Sequence, residues 1–72
     1  MTPPTTTVRA EDVRVGDRVL EASGDELTVT RIDAAFMGRP EMIAYVEDTP
    51  ARWRKLPMMV GADVEIVRTT PA

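Results

Sequence analysis

Two glycine-containing turns that flank a short apolar segment constrain the fold of this chain most. Gly16 precedes residues 18–22, and Gly24 separates them from residues 26–33. Both segments alternate apolar and polar side chains, as half-buried strands do. Glycine supplies the positive φ that tight hairpin turns require. The pattern predicts a β-hairpin entered through the turn at Gly16.

The second strand of this hairpin contains a change of parity. Leu27 and Val29 fall on one face of an extended chain, whereas Ile32 falls on the other. A bulge or sharp bend near residues 30–31 would bring all three side chains into one core. Small barrels need such bends in order to close.

The rest of the chain predicts three more strands, at residues 42–47, 52–56 and 64–68. Pro57 either ends the strand before it or marks a sheet edge, because proline cannot donate to a ladder. Residues 10–13 predict one helical turn. We therefore expect a small antiparallel barrel of about five strands over residues 8–68, with disordered tails at 1–7 and 69–72.

Composition narrows the functions that this chain of 72 residues can perform. It has no Cys and no His, which excludes disulfides, Cys-His and Ser-His-Asp nucleophiles, and the usual zinc, haem and iron–sulfur sites. The remaining polar side chains are mostly carboxylates, arginines and threonines. We therefore expect a non-catalytic binding protein with no metal and no cofactor.

The charge and the terminal segments bear on partners and location. A net charge of −3 disfavours duplex DNA as a partner. The first seven residues lack the basic and apolar regions of a signal peptide, and no apolar stretch is long enough to cross a membrane. We expect a cytoplasmic protein. Eight Arg against one Lys matches the coding bias of a high-GC genome, such as that of an actinobacterium or its phages.

Residues 13–32 resemble the opening of SH3-like barrels, including the KOW-type domains of ribosomal proteins and transcription factors. The resemblance rests on the Gly16-Asp17 pair before the first strand, the hairpin turn at Gly24 and the valine-rich second strand. The chain is also similar to short actinobacterial and phage proteins of unassigned function. The family resemblance implies an SH3-like barrel that binds RNA or protein. The acidic first hairpin of this chain departs from the basic members of that family.

The leading candidate site is the segment Arg52-Trp53-Arg54-Lys55. Alternation along a strand places the two arginines on one face and Trp53 with Lys55 on the other. An aromatic ring flanked by cations can stack on a base while the cations contact phosphates. Trp and Arg are also enriched at the centres of protein interfaces. The third interpretation is that Trp53 lies in the core and that the cations form a solvated face.

A second candidate surface is the loop that contains Phe36, Met37 and Arg39. Together with Met42, Met58 and Met59, these side chains could form an adaptable pocket or a dimer interface, or they could plug the ends of a small core. The third aromatic residue, Tyr45, lies in the strand predicted at residues 42–47.

Three pairs of adjacent carboxylates next to turns could suggest cation binding or acid–base chemistry. The pairs are Glu11-Asp12, Asp25-Glu26 and Glu47-Asp48. Neighbours on a strand point to opposite faces, so we expect solvated turn residues instead.

These observations together favour a module that binds a protein partner through the Trp53 strand and the Phe36 loop. A homodimer through an exposed edge strand is a further expectation, because a small open barrel leaves strand edges that must be covered. Single-stranded nucleic acid is the first alternative, although the net charge disfavours it. A homo-oligomer that binds a small ligand near its methionines is the second alternative.

Overall fold

The computed structural model describes residues 4–67, so the predicted tail 69–72 and the first three residues of the predicted tail 1–7 lie outside it. The described residues form seven strands and two single turns of 3-10 helix, at Ala10–Asp12 and Phe36–Gly38. The strands are β1 Thr5–Arg9, β2 Arg18–Leu20, β3 Glu26–Thr28, β4 Arg31–Asp33, β5 Met42–Asp48, β6 Trp53–Met59 and β7 Asp63–Val67. No helix within residues 4–67 has the length and apolar character needed to cross a lipid bilayer.

The strands form two antiparallel sheets. The four-stranded sheet has the order β1-β7-β2-β3, and the three-stranded sheet has the order β4-β5-β6. The all-β class and the predicted helical turn after residue 9 are confirmed. Neither sheet closes on itself.

The bend predicted near residues 30–31 is where the chain passes from one sheet to the other. Residues 26–33 form two strands, β3 and β4, separated by Val29 and Thr30. The side chain of Val29 is buried, and the Thr30 hydroxyl donates to the carbonyl of Val46 at 3.0 Å and accepts from the Asp48 amide at 2.9 Å. These two hydrogen bonds attach the bend to β5. Residues on both sides of the bend, in β3 and in β4, therefore contribute to one core.

The strand β1 was not predicted, and it corrects the expected tail over residues 5–7. Thr5–Arg9 pairs with β7 along its whole length, from Thr5 opposite Val67 to Arg9 opposite Asp63. Its partner lies almost sixty positions away in the sequence, and three consecutive threonines give no apolar alternation. Threonine nonetheless favours strands, because its branched side chain packs well on a pleated surface.

The core lies between the two sheets, and Tyr45 is its largest fully buried side chain. Val19, Leu27, Val29 and Ala10 belong to the same buried cluster as Tyr45. The Tyr45 hydroxyl donates to the Ala10 carbonyl at 2.5 Å, which ties the first 3-10 turn to β5. Burial, with a smaller contribution from the charge of Glu11, raises the pKa of Tyr45 to about 12.

Strand β6 lies at the edge of the three-stranded sheet and continues through Pro57 to Met59, beyond the predicted range 52–56. Pro57 lies opposite Ala44 of β5. Of the two roles predicted for this proline, the structure shows the sheet edge. A proline in an edge strand also hinders the addition of a further strand there.

Candidate functional site

Strand β6 presents two different faces, and its register with β5 defines them. Arg54 and Leu56 lie opposite Glu47 and Tyr45 and point toward the core side of the sheet. The outward face of β6 carries Trp53, Lys55, Pro57 and Met59. The alternation predicted for residues 52–55 is therefore present, and it divides the predicted cluster between two environments.

Trp53 lies on the outward face with 58% of its surface exposed. The Lys55 ammonium nitrogen is 5.9 Å from the centre of the Trp53 ring and 4.9 Å from the centre of the Phe36 ring. Both distances fall within the range of cation–π attraction. We define Phe36, Trp53 and Lys55 as the outer aromatic surface.

Two charged residues of β4 border the outer aromatic surface. The Asp33 carboxylate lies 3.3 Å from the Lys55 ammonium and accepts a hydrogen bond of 2.8 Å from Arg31 Nε. The hydrogen bond from Arg31, supported by that from Lys55, lowers the pKa of Asp33. The surface thus combines two aromatic rings with a lysine held by an ionised carboxylate.

The Phe36 loop has an unusual backbone. Ala35 and Met37 have φ values of +49° and +57°, in the left-handed region that non-glycine residues seldom adopt. The loop contacts β5, where Ala44 and Val46 are fully buried although the register places them on the outward side. Phe36 is half-buried, whereas the next side chain, Met37, is 82% exposed. The strained turn therefore holds Phe36 against the sheet and directs Met37 into solvent.

Arg52 and Arg54 have a different environment from Trp53 and Lys55. Arg52 Nε donates to Glu47 Oε1 at 2.9 Å, and its guanidinium also donates to the carbonyl of Glu26. Glu47 is a buried carboxylate with only 7% of its surface exposed. The arginine therefore compensates a buried charge and connects the turn before β6 to β3.

Arg54 forms the second of these connections. Its guanidinium lies 2.7 Å from the carboxylate of Glu21 and 3.9 Å from that of Asp25, both in the first hairpin. These two acidic residues of the hairpin thus have a partner inside the molecule. Both arginines link the two sheets, and their charges are balanced by carboxylates.

The remaining predicted site residues, Arg39 and three methionines, are not part of the outer aromatic surface. Arg39 is solvent-exposed and pairs with Glu41 of its own loop at 2.7 Å. Met42 lies opposite Met59 on the outward side, and Met59 is 57% exposed. Met58 points to the other face. The four methionines within residues 4–67 therefore do not form one pocket.

Sequence reasoning missed the contact between Asp33 and Lys55, because these residues belong to β4 and β6 and β5 lies between them. The pattern of residues within one strand does not show which residues of two other strands lie side by side in the sheet. Within residues 4–67, the acidic side chains do not assemble in groups of three or more that could hold a metal ion.

Comparisons with protein-family models, curated proteins and solved structures find no match to this chain.

Proposed function

We propose that this chain is a non-catalytic protein-binding module with an SH3-like arrangement of strands. The arrangement is supported by the hairpin β2–β3, by the crossing at Val29 and Thr30 into the second sheet, and by the return of β7 beside β2. A strand that bends from one sheet into the next is how small barrels shape a core. Strand β1 is an addition at the free edge of β7.

The observation that carries the proposal is the exposure of Trp53 beside Lys55 and Phe36. A chain of this size needs its aromatic residues for the core, and this one places its only tryptophan in solvent. Trp is enriched among the few residues that dominate the energy of protein interfaces. In the proposed mechanism a partner covers the two rings, while Lys55 and Asp33 fix its orientation.

Protein is favoured over single-stranded nucleic acid because the cations near Trp53 already have partners. Arg52 and Arg54 are paired with carboxylates on the other face, and Lys55 is paired with Asp33. Binding to phosphates would require these ion pairs to be exchanged. A protein partner needs only to cover the rings.

The test is photo-crosslinking in an extract of the source cells, with a photoreactive amino acid in place of the exposed Met37. We expect a small set of crosslinked proteins that Trp53→Ala and Lys55→Glu remove. Truncation of a tryptophan at the centre of an interface costs about 2 kcal/mol or more, which is a loss of roughly 30-fold in affinity. Val15→Ala is the matched control, since it truncates an apolar side chain that is 63% exposed in the turn before β2.

Crosslinks that survive Trp53→Ala would contradict the proposal, as would crosslinks lost equally in Val15→Ala. A nuclease-sensitive crosslink, together with quenching of Trp53 fluorescence by a mixed-sequence oligonucleotide that salt reverses, would establish the nucleic-acid alternative instead. Sedimentation of the purified chain shows whether the captured partner is a second copy.

A further inference from the structure

A groove of about 540 Å³ opens on the side of β6 that faces away from Trp53. It lies between the end of the first hairpin and the start of β7, and we name it the acidic groove. Its lining comes from residues 19–23 of the first hairpin, from Leu56 and Met58 of β6, and from residues 63–65 of β7. Its volume is in the range of sites that bind ligands.

The groove exists because β2 and β7 separate. They pair at only two positions, Arg18 with Val67 and Val19 with Ile66. Beyond these, residues 20–22 and 63–65 run along opposite sides of the groove, and the sheet pairing of residues 4–67 gives neither segment a strand partner on that side. Unpaired strand edges of this kind can pair with an extended segment of another chain.

The floor of the groove is apolar. Leu56 and Met58 are half-buried side chains of β6 that pack against the core, and Val19 and Val64 beside them are buried. A methionine in the floor suits a surface that adapts to different side chains, because its thioether is flexible and polarizable. The floor can therefore accept apolar side chains of moderate size.

The rim of the groove is acidic. Glu21 is balanced by Arg54, but Asp63 and Glu65 are exposed, and no basic side chain within residues 4–67 forms an ion pair with either of them. Asp63 and Glu65 are two residues apart on β7, so they lie on the same face of that strand. Their charges favour a partner segment with cations.

We propose that the acidic groove binds an extended segment of a partner protein in which basic and apolar residues alternate. Side chains of such a segment point alternately to its two sides, so the apolar ones can meet Leu56 and Met58 while the basic ones meet Asp63 and Glu65. The backbone of the segment pairs with the free edges at residues 20–22 and 63–65. This surface is separate from the outer aromatic surface.

The experiment uses the full chain labelled with ¹⁵N and a synthetic six-residue peptide of alternating lysine and valine, capped at both ends. We expect saturable shifts of the amide signals of residues 20–22 and 63–65. The matched control peptide has glutamate in place of lysine, and a second control carries N-methyl groups on alternate backbone nitrogens. Neither control should bind measurably.

Substitutions in the chain separate charge from shape. The double substitution Asp63→Asn with Glu65→Gln keeps the shape of the rim. It removes the two ion pairs that these carboxylates would form with lysines of the peptide, and it should weaken binding roughly tenfold at low salt. Ala22→Arg places a cation on an exposed turn position of the rim and should also weaken binding. Trp53→Ala should leave it unchanged. Amide spectra of each variant without peptide confirm that the fold is retained.

Shifts confined to the groove and lost in the doubly neutralised variant support the proposal. Equal binding of the glutamate peptide or of the N-methylated peptide overturns it, as does an absence of shifts at residues 20–22 and 63–65. Binding abolished by Trp53→Ala would move the peptide to the outer aromatic surface and would also overturn it. Failure of the crosslinking test leaves this result unaffected, since the two tests probe opposite faces of β6.

Discussion

The two faces of β6 use similar side chains for different purposes. On the inward side, Arg54 is held by the Glu21 carboxylate, and Arg52, just before the strand, is held by Glu47. On the outward side, the Lys55 ammonium lies near two aromatic rings, and Trp53 is mostly exposed to water. Four consecutive residues thus divide into a pair that joins the two sheets and a pair on the outward face, where we propose that a partner binds. The charge of a segment does not by itself indicate a binding site.

The largest contrast should appear when an aromatic side chain is truncated on each side of the three-stranded sheet. Tyr45→Ala leaves a cavity between the sheets and should lower the free energy of unfolding by about 3–5 kcal/mol. Trp53→Ala removes a side chain that is 58% exposed and should cost less than about 1 kcal/mol. Urea unfolding followed by circular dichroism measures both. Equal losses would show that Trp53 is part of the core.

The inward side should also give the protein a sensitivity to alkali. The pKa of Tyr45 is about 12 in the folded chain against an ordinary value of 10, so the folded state holds the phenolic proton more tightly than the unfolded state does. This contribution is complete below pH 10 and is lost as the pH rises toward 12. A difference of about two pKa units corresponds to roughly 2–3 kcal/mol.

Tyr45→Phe isolates this effect, because it removes the titrating hydroxyl and keeps the ring. The variant should be less stable than the original chain at neutral pH, by about 1–3 kcal/mol, since the Ala10 carbonyl loses its buried donor. The gap should narrow between pH 10 and pH 12 in urea unfolding experiments. If both proteins lost the same free energy of unfolding between pH 10 and pH 12, the titration of Tyr45 would be excluded as the cause of the sensitivity to alkali.

A smaller contrast should separate the cations of the two faces. Arg52→Ala leaves the buried carboxylate of Glu47 without its partner and should cost about 1–3 kcal/mol. Lys55→Ala also removes one positive charge, but its partner Asp33 is accessible to water, so the melting temperature should change much less. Differential scanning calorimetry compares the two variants at one pH and salt concentration. A larger decrease in melting temperature for Lys55→Ala than for Arg52→Ala would contradict this assignment, because it would make the outward cation the one that stabilises the fold.

The sequence predicts local features of this fold well. The hairpin turn at Gly24, the bend before Arg31 and the alternation at residues 52–55 all follow from period and turn chemistry, and the structure confirms them. It does not predict β1, because pairing with β7 depends on residues almost sixty positions away. The same limit applies to the candidate site. Alternation separates Arg52 from Trp53, but only the long-range pairing shows that Glu47 and Glu21 neutralise the two arginines.

The acrylamide quenching of Trp53 fluorescence tests the central claim most directly, since this is the only tryptophan in the chain. The claim is that the outward face of β6 is open to a partner while the inward face is closed. We predict a red-shifted emission in the native protein and a quenching constant more than half that measured in urea, in keeping with the 58% exposure of Trp53. A blue-shifted emission that acrylamide barely quenches would place Trp53 in the core or in a dimer interface, and it would contradict the assignment of an open surface.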